Sequence, residues 1–309
     1  MVHAGWREVM AADEVEGIAF PVITCYPTHA PERLRSLGPY SISAAWDAAP
    51  AGARLPLAML SHGSGSSPLV NRDLALALAR AGFVVGMPLH PGDNRDDRSL
   101  QHTTQNLQQR PRHLQAAIDA VLGDPALFPG GRPVGVALVG HSLGAYTALA
   151  LAGGNPRTLP QVWPDGPTEA VPVTHDSRVS ALVLLAPAVA WFHAPGALAD
   201  VHLPVLMLAG EQDAVTPAQH HADLVARQLP RPDLLDYRTV AGAGHFSFLS
   251  VFPPAMQTPH FAPAQDPPGF DRAAFQAQLA EEIVRFLCGA QLMDRASAPS
   301  SPEVALKKG

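Results

Sequence analysis

The sequence predicts an α/β chain with a mostly parallel central sheet and helices on both faces. Three observations predict it. Short apolar, β-branched runs recur at 55–61, 83–88, 133–139, 181–186, 205–209 and 234–240. Strands buried on both faces of a parallel sheet read as such runs. Helix-like stretches separate them, at 71–81, about 106–122, 145–152 and 217–228, and an amphipathic stretch at 270–287 closes the chain. Strands alternating with helices imply crossover connections and hence parallel neighbours. Finally, several runs end in Gly-rich loops, such as His62-Gly63-Ser64-Gly65 and Gly140-His141-Ser142-Leu143-Gly144.

Ahead of these elements, residues 1–50 read as a β-rich lead-in. Strands are expected at 20–26 and 41–46, with a Pro-rich loop over 27–39. Asn71 is placed to cap the first helix, and Gly82 to stop it. Residues 155–177 are rich in Pro and polar side chains without periodicity, and are read as a candidate cap or loop insertion. One α/β domain over 1–293 is expected, followed by a disordered tail over 294–309.

Composition narrows the function classes. The chain has 309 residues, 47% hydrophobic and 16% charged, enough for a sizeable core. A net charge of −6 with scattered Lys and Arg argues against a nucleic-acid surface. Cys25 and Cys288 are too few and too far apart for a disulfide framework, so both are expected as buried free thiols. No Cys/His spacing suggests a metal. The longest mostly apolar window, 134–152, is broken by glycines, His141 and Ser142, so no integral membrane segment is expected. Met1 to Met10 lacks a basic start followed by an apolar core, which makes a cytoplasmic location the expectation.

The chemistry centres on Gly140-His141-Ser142-Leu143-Gly144, a G-x-S-x-G pentapeptide between a strand-like and a helix-like run. That context is the nucleophile elbow, a tight turn that presents a serine and needs small neighbours to close. A serine hydroxyl becomes nucleophilic when an imidazole takes its proton and a carboxylate orients the imidazole. In an α/β-hydrolase fold these groups follow in the order Ser, acid, His, each in a loop after a strand. Asp213 and His245 meet that condition, with one helix and one strand between them. Glu211 is a rival acid on the same loop, and Asp213 could equally cap the helix that follows. Of 14 histidines, His245 alone stands in a Gly-rich loop after the last strand. Backbone N–H groups of Leu143 and of Ser64 are placed to form an oxyanion hole. The His62–Gly65 loop lacks the lysine of a phosphate-binding loop.

Several segments together resemble α/β-hydrolases of the predicted dienelactone hydrolase group, which is similar to platelet-activating-factor acetylhydrolases. They are Leu60-Ser61-His62-Gly63-Ser64-Gly65, His90-Pro91-Gly92-Asp93-Asn94, the elbow, Gly210-Glu211-Gln212-Asp213 and Gly244-His245-Phe246. Trp6-Arg7, Tyr26-Pro27 and Gly269-Phe270-Asp271-Arg272 also fit, so the resemblance spans about residues 5 to 288. It implies a Ser142–Asp213–His245 triad with Ser64 and Leu143 as oxyanion donors, and no cofactor. Dienelactone hydrolases use a cysteine nucleophile; serine at 142 favours an ordinary carboxylic ester.

Around this centre, His62, His90, His141, Trp191 and Phe246 are candidates for a substrate pocket, with Phe248 and Phe252 as further apolar lining. His90, Asp93 and Asn94 read either as an active-site rim or as a turn held by Asp and Asn side chains. The expected function is a serine hydrolase acting on a small-molecule ester. An amidase or peptidase on the same triad, and a non-catalytic binding protein on the same scaffold, are the alternatives.

Overall fold

The computed structural model describes residues 1–52, 54–160 and 166–297, with side chains as far as residue 290. The chain runs β1 (His3–Asp13), β2 (Ile18–Thr28), β3 (Arg33–Leu37), β4 (Tyr40–Trp46), β5 (Leu57–Ser61), α1 (Arg72–Arg80), β6 (Val84–Pro88) and α2 (Thr104–Gly123). It continues through β7 (Val136–His141), α3 (Leu143–Leu151), β8 (Val179–Leu185), β9 (Val205–Gly210), α4 (Ala222–Gln228), β10 (Leu235–Val240) and α5 (Arg272–Ser297). All strands join one sheet in the order β10-β9-β8-β7-β5-β6-β2-β1-β4-β3. From β10 to β6 every neighbouring pair is parallel. The lead-in adds the long antiparallel hairpin β1–β2, which joins the rest through antiparallel pairing of β2 with β6.

Helices cover both faces. On one face α2 and α3 bury Leu114, Ile118, Val121, Tyr146 and Leu149. On the other, α1 and α5 bury Leu74, Leu78, Leu279, Ile283 and Leu287. Each residue of α3 is buried, which fits its largely Ala/Leu composition. β5 lies between β7 and β6, and the chain adds strands first on one side of it and then on the other. Crevices at the carboxyl ends of strands open at such a switch point.

Four expectations need correction. The Pro-rich stretch 27–39 contains β3, which pairs antiparallel with β4 across a turn at Gly38 (φ +57°). β3 is an edge strand of Arg33-Leu34-Arg35-Ser36-Leu37, almost wholly exposed, so no apolar run announces it. The helix expected at 217–228 is a 3-10 turn at Ala218–His220, then α4. His221 stands at the break (φ −127°, ψ −79°) and turns inward to accept a hydrogen bond from Val189 N at 3.1 Å. Cys288 is exposed on α5, whereas Cys25 is buried on β2, where burial pushes its thiol pKa up. The tail expected from 294 is still helical to Ser297, and the remainder of that expectation lies outside the described residues.

The excursion at 155–177 leaves α3 and returns to β8 through an antiparallel bridge of Arg157 with Ala170. Thr158 N donates to Glu169 O (2.8 Å) beside it, and residues 161–165 lie outside the described residues. α2 carries Pro111 in its interior. Proline removes the N–H that would bond the carbonyl four residues earlier. Tyr146 Oη on α3 donates to that carbonyl, Leu107 O, at 3.0 Å.

Candidate active site

Ser142 occupies the turn between β7 and α3 with φ 54° and ψ −120°, a strained conformation for a residue with a side chain. The turn closes because its flanks have no side chains. A Cβ on Gly140 would stand 2.2 Å from Gly144 O, and one on Gly144 would stand 1.9 Å from Ser61 O. The strain is held from both sides: Ser142 N donates to Leu185 O (3.0 Å), and Ser142 O accepts from Ala188 N (3.1 Å).

His245 follows β10 in a buried 3-10 turn, and its Nε2 lies 3.0 Å from Ser142 Oγ. On the far side of the ring, Nδ1 donates to Asp213 Oδ2 at 2.8 Å. Asp213 follows β9. It also accepts from Val215 N (2.9 Å), Thr216 N (2.8 Å) and Thr216 Oγ1 (2.7 Å). Burial disfavours its charge, but His245 and Thr216 together outweigh that and hold its pKa at about 2. The carboxylate is thus ionised and saturated with donors, which leaves His245 one fixed orientation. Glu211 is elsewhere: it is exposed and accepts from Gly242 N at 2.8 Å. His141 does not touch Ser142 Oγ. Its Nε2 donates to His245 O at 2.9 Å, and burial lowers its pKa to about 3, so it is a neutral brace for the histidine loop.

The loop after β5 packs against the elbow. A Cβ on Gly63 would lie 3.2 Å from Ser142 Cβ, so only glycine brings the next residue, Ser64, this close without displacement. Leu143 is the first residue of α3, and the first N–H groups of a helix have no partner within it. The loop is held from below by a buried ion pair. Arg110 Nη1 donates to Asp93 Oδ2 at 2.8 Å, with both side chains fully buried. Asp93 Oδ1 accepts from Ser64 Oγ (2.7 Å) and Gly65 N (2.8 Å), while Arg110 also donates to His62 O and to Thr147 Oγ1 on α3. One guanidinium therefore ties α2, the Ser64 loop and the elbow helix together. Replacing Arg110 with Met is expected to destabilise the protein by about 3–5 kcal/mol, because Asp93 would remain as an unpaired buried charge. Urea unfolding measures this; a loss below about 1 kcal/mol would mean that water reaches Asp93.

Two of the candidate pocket histidines belong to this underlayer. His62 and His90 are fully buried and pack edge to face, 4.9 Å apart. His62 Nδ1 donates to Gly63 O (2.8 Å) and its Nε2 accepts from His90 N (3.2 Å), while His90 Nε2 meets Ser61 Oγ at 2.9 Å. Both are corrected from pocket lining to support, since strand ends that look open in sequence are roofed by the Ser64 loop. Asp93 and Asn94 form the turn rather than the rim. Asn94 Oδ1 accepts from Asp96 N and Asp97 N, each at 3.0 Å.

Two clefts meet at Ser142. One, of about 340 Å³, is walled by Phe246, Phe252, His141 and His245 among others. The second, of about 460 Å³, is walled by Leu143, Trp191, Thr158 and Leu159 among others. Ser64 lines both. Phe248 lines neither; it is buried against Phe275. A larger cavity of about 650 Å³ lies at the opposite, amino ends of β5 and β7, around Leu55 and Gly135. Among the described residues, no group of His, Cys, Asp and Glu side chains is arranged to hold a metal ion, and no helix is long and apolar enough to cross a membrane.

No family model matches the chain, and no curated protein matches it. Among solved structures it is similar to a ferulic acid esterase from Streptomyces cinnamoneus, with a TM-score of 0.64, over 92% of this chain and 88% of that one. The chain has an α/β-hydrolase fold. At 18% identity the likeness is one of fold, so site and activity rest on this chain's own residues.

Proposed function

We propose that the protein is a cofactor-independent serine hydrolase of carboxylic esters. The observation that carries this is the continuous line from Ser142 Oγ to His245 Nε2 (3.0 Å) and from His245 Nδ1 to Asp213 Oδ2 (2.8 Å), set at the carboxyl ends of β7, β9 and β10. The structural neighbour being an esterase lends support. Ser142 attacks the ester carbonyl while His245 Nε2 takes its proton. The oxyanion meets the N–H groups of Leu143 and Ser64. His245 then returns the proton to the leaving alcohol, and water activated by the same imidazole releases the acid. Asp213 stays ionised and stabilises the imidazolium. Within this class the motifs favour the dienelactone hydrolase-like group, with serine in place of its cysteine.

The test is covalent. A fluorophosphonate is expected to add once to the protein at Ser142, located by peptide mass, and to abolish hydrolysis of p-nitrophenyl butyrate. Absence of both labelling and turnover would overturn the proposal.

A further inference from the structure

We propose that the two clefts at Ser142 divide the ester, the alcohol part entering the aromatic cleft beside His245 and the acyl part the cleft beside Leu143. The substrate class is then esters of neutral, apolar alcohols of up to roughly ten non-hydrogen atoms. The inference rests on the esterase reading and names the substrate of that site.

The stereochemistry of the reaction assigns the sides. As Ser142 Oγ bonds to the carbonyl carbon, its proton goes to His245 Nε2 and the carbonyl electron pair moves onto oxygen. When the intermediate collapses, the pair returns, the bond from carbon to the alcohol oxygen breaks, and Nε2 delivers the proton to that oxygen. His245 must therefore reach both Ser142 Oγ and the alcohol oxygen. The alcohol leaves on the side where His245 forms the wall, and that is the 340 Å³ cleft. His245 is not part of the other cleft, which instead has Leu143, whose N–H at the start of α3 is the oxyanion donor of the proposed mechanism.

The chemistry of the His245 cleft names what it takes. Its walls include Tyr40, Val70, Phe246, Phe252, Met256 and Phe261, most of them drawn from the segment between β10 and α5. Among the described residues no carboxylate lines it, and Arg98 stands at its wall beside Arg95, itself paired with Asp96 at 3.1 Å, so the wall offers a cationic alcohol no partner. A volume of about 340 Å³ holds roughly ten non-hydrogen atoms at about 30 Å³ each. The Leu143 cleft is edged with hydrogen-bonding side chains instead, Thr103, Thr104, Asn106 and Thr158, around Trp191.

Two series of esters, followed by pH-stat, test the division. One holds the acyl group constant in ethyl, hexyl and 2-phenylethyl acetate. The other holds the alcohol constant in ethyl acetate, butyrate and octanoate. Val70→Phe narrows the aromatic cleft from its buried wall, and Met256→Trp narrows it from a more exposed one, so that a folding defect in the first does not remove the test. Each is expected to lower the ratio of kcat/KM for hexyl over ethyl acetate about tenfold, the discrimination a filled apolar pocket gives. The ratio of ethyl octanoate to ethyl acetate should hold. Collapse of the octanoate ratio with the alcohol series unmoved would reverse the assignment, and no change in either ratio would overturn it. A wild-type protein that hydrolyses none of these esters defeats the esterase reading itself, a separate outcome.

Discussion

Ser142→Ala is expected to lower kcat for p-nitrophenyl butyrate by about 10⁶-fold, and His245→Ala by about as much. The two substitutions combined should cost no more than either alone. A nucleophile and its base act as one unit, so removing either removes the covalent route. The geometry leaves no substitute. Ser142 is fixed by its backbone bonds to Leu185 and Ala188, and His245 Nε2 meets it at 3.0 Å. His141, the other imidazole near the serine, is committed to His245 O. Asp213→Asn should cost about 10⁴-fold, because an amide can donate to Nδ1 and favour the wrong tautomer. What survives in every variant is binding and the oxyanion hole, about 10³-fold over water. Single-turnover kinetics on folded variants, checked by circular dichroism, measure each value. A Ser142→Ala protein within tenfold of wild type would remove Ser142 from the chemistry.

Where a strand is buried on both sides, the sequence is easy to read. β5, β7, β8 and β9 are apolar at nearly every position because helices cover both faces of the sheet. β3 is the opposite case: an edge strand with Arg33, Arg35 and Ser36 in water carries no such signature. The three site residues were legible for a related reason, since each stands in a loop just past a strand, flanked by glycine or a turn. Their supports were not. Arg110 lies 17 residues from Asp93, 48 from His62 and 37 from Thr147, and only the crossing of α2 under the loops brings them together. Thr216 carried a weak local signal, since it directly follows Val215, which closes an Asx turn on Asp213 two residues before it. His62 and His90 misled because a polar residue at a strand end looks available until the loop above it is placed.

That buried histidine layer makes acid the weak point of the fold. Unfolding is expected on acidification with a midpoint at about pH 5. Burial, joined by the charge of Arg110, lowers the pKa of His62 to about 3 and that of His90 well below its ordinary value. Burial likewise holds His113 at about 4, although Asp13 opposes it, and His141 at about 3. In the unfolded chain each imidazole titrates at about 6.5. Above that pH neither state is protonated and stability is complete. Below it the unfolded chain takes up protons that the folded chain refuses, so stability falls by up to about 1.4 kcal/mol per pH unit for each imidazole. Four of them approach about 5 kcal/mol per unit, against a total stability of about 5–15 kcal/mol. The paired carboxylates Glu32, Asp93, Asp176 and Asp213 have depressed values and add to the loss only below about pH 4, where they titrate when unfolded. The fall between pH 6.5 and 5 therefore belongs to histidine. His113 isolates the effect, because neither of its ring nitrogens has a hydrogen bond among the described residues. It packs 5.3 Å from Phe20 and 5.9 Å from His90, with Asp13 Oδ2 at 3.5 Å and already held by Arg112 at 2.7 Å. His113→Leu removes one proton site and two unsatisfied polar atoms at similar volume. It should raise stability at pH 8 by about 1 kcal/mol and move the acid midpoint down by roughly half a pH unit. Circular dichroism against pH, with urea unfolding at pH 8, reads both shifts. A wild-type midpoint below pH 4, or an unmoved midpoint in His113→Leu, would transfer acid sensitivity to the carboxylates.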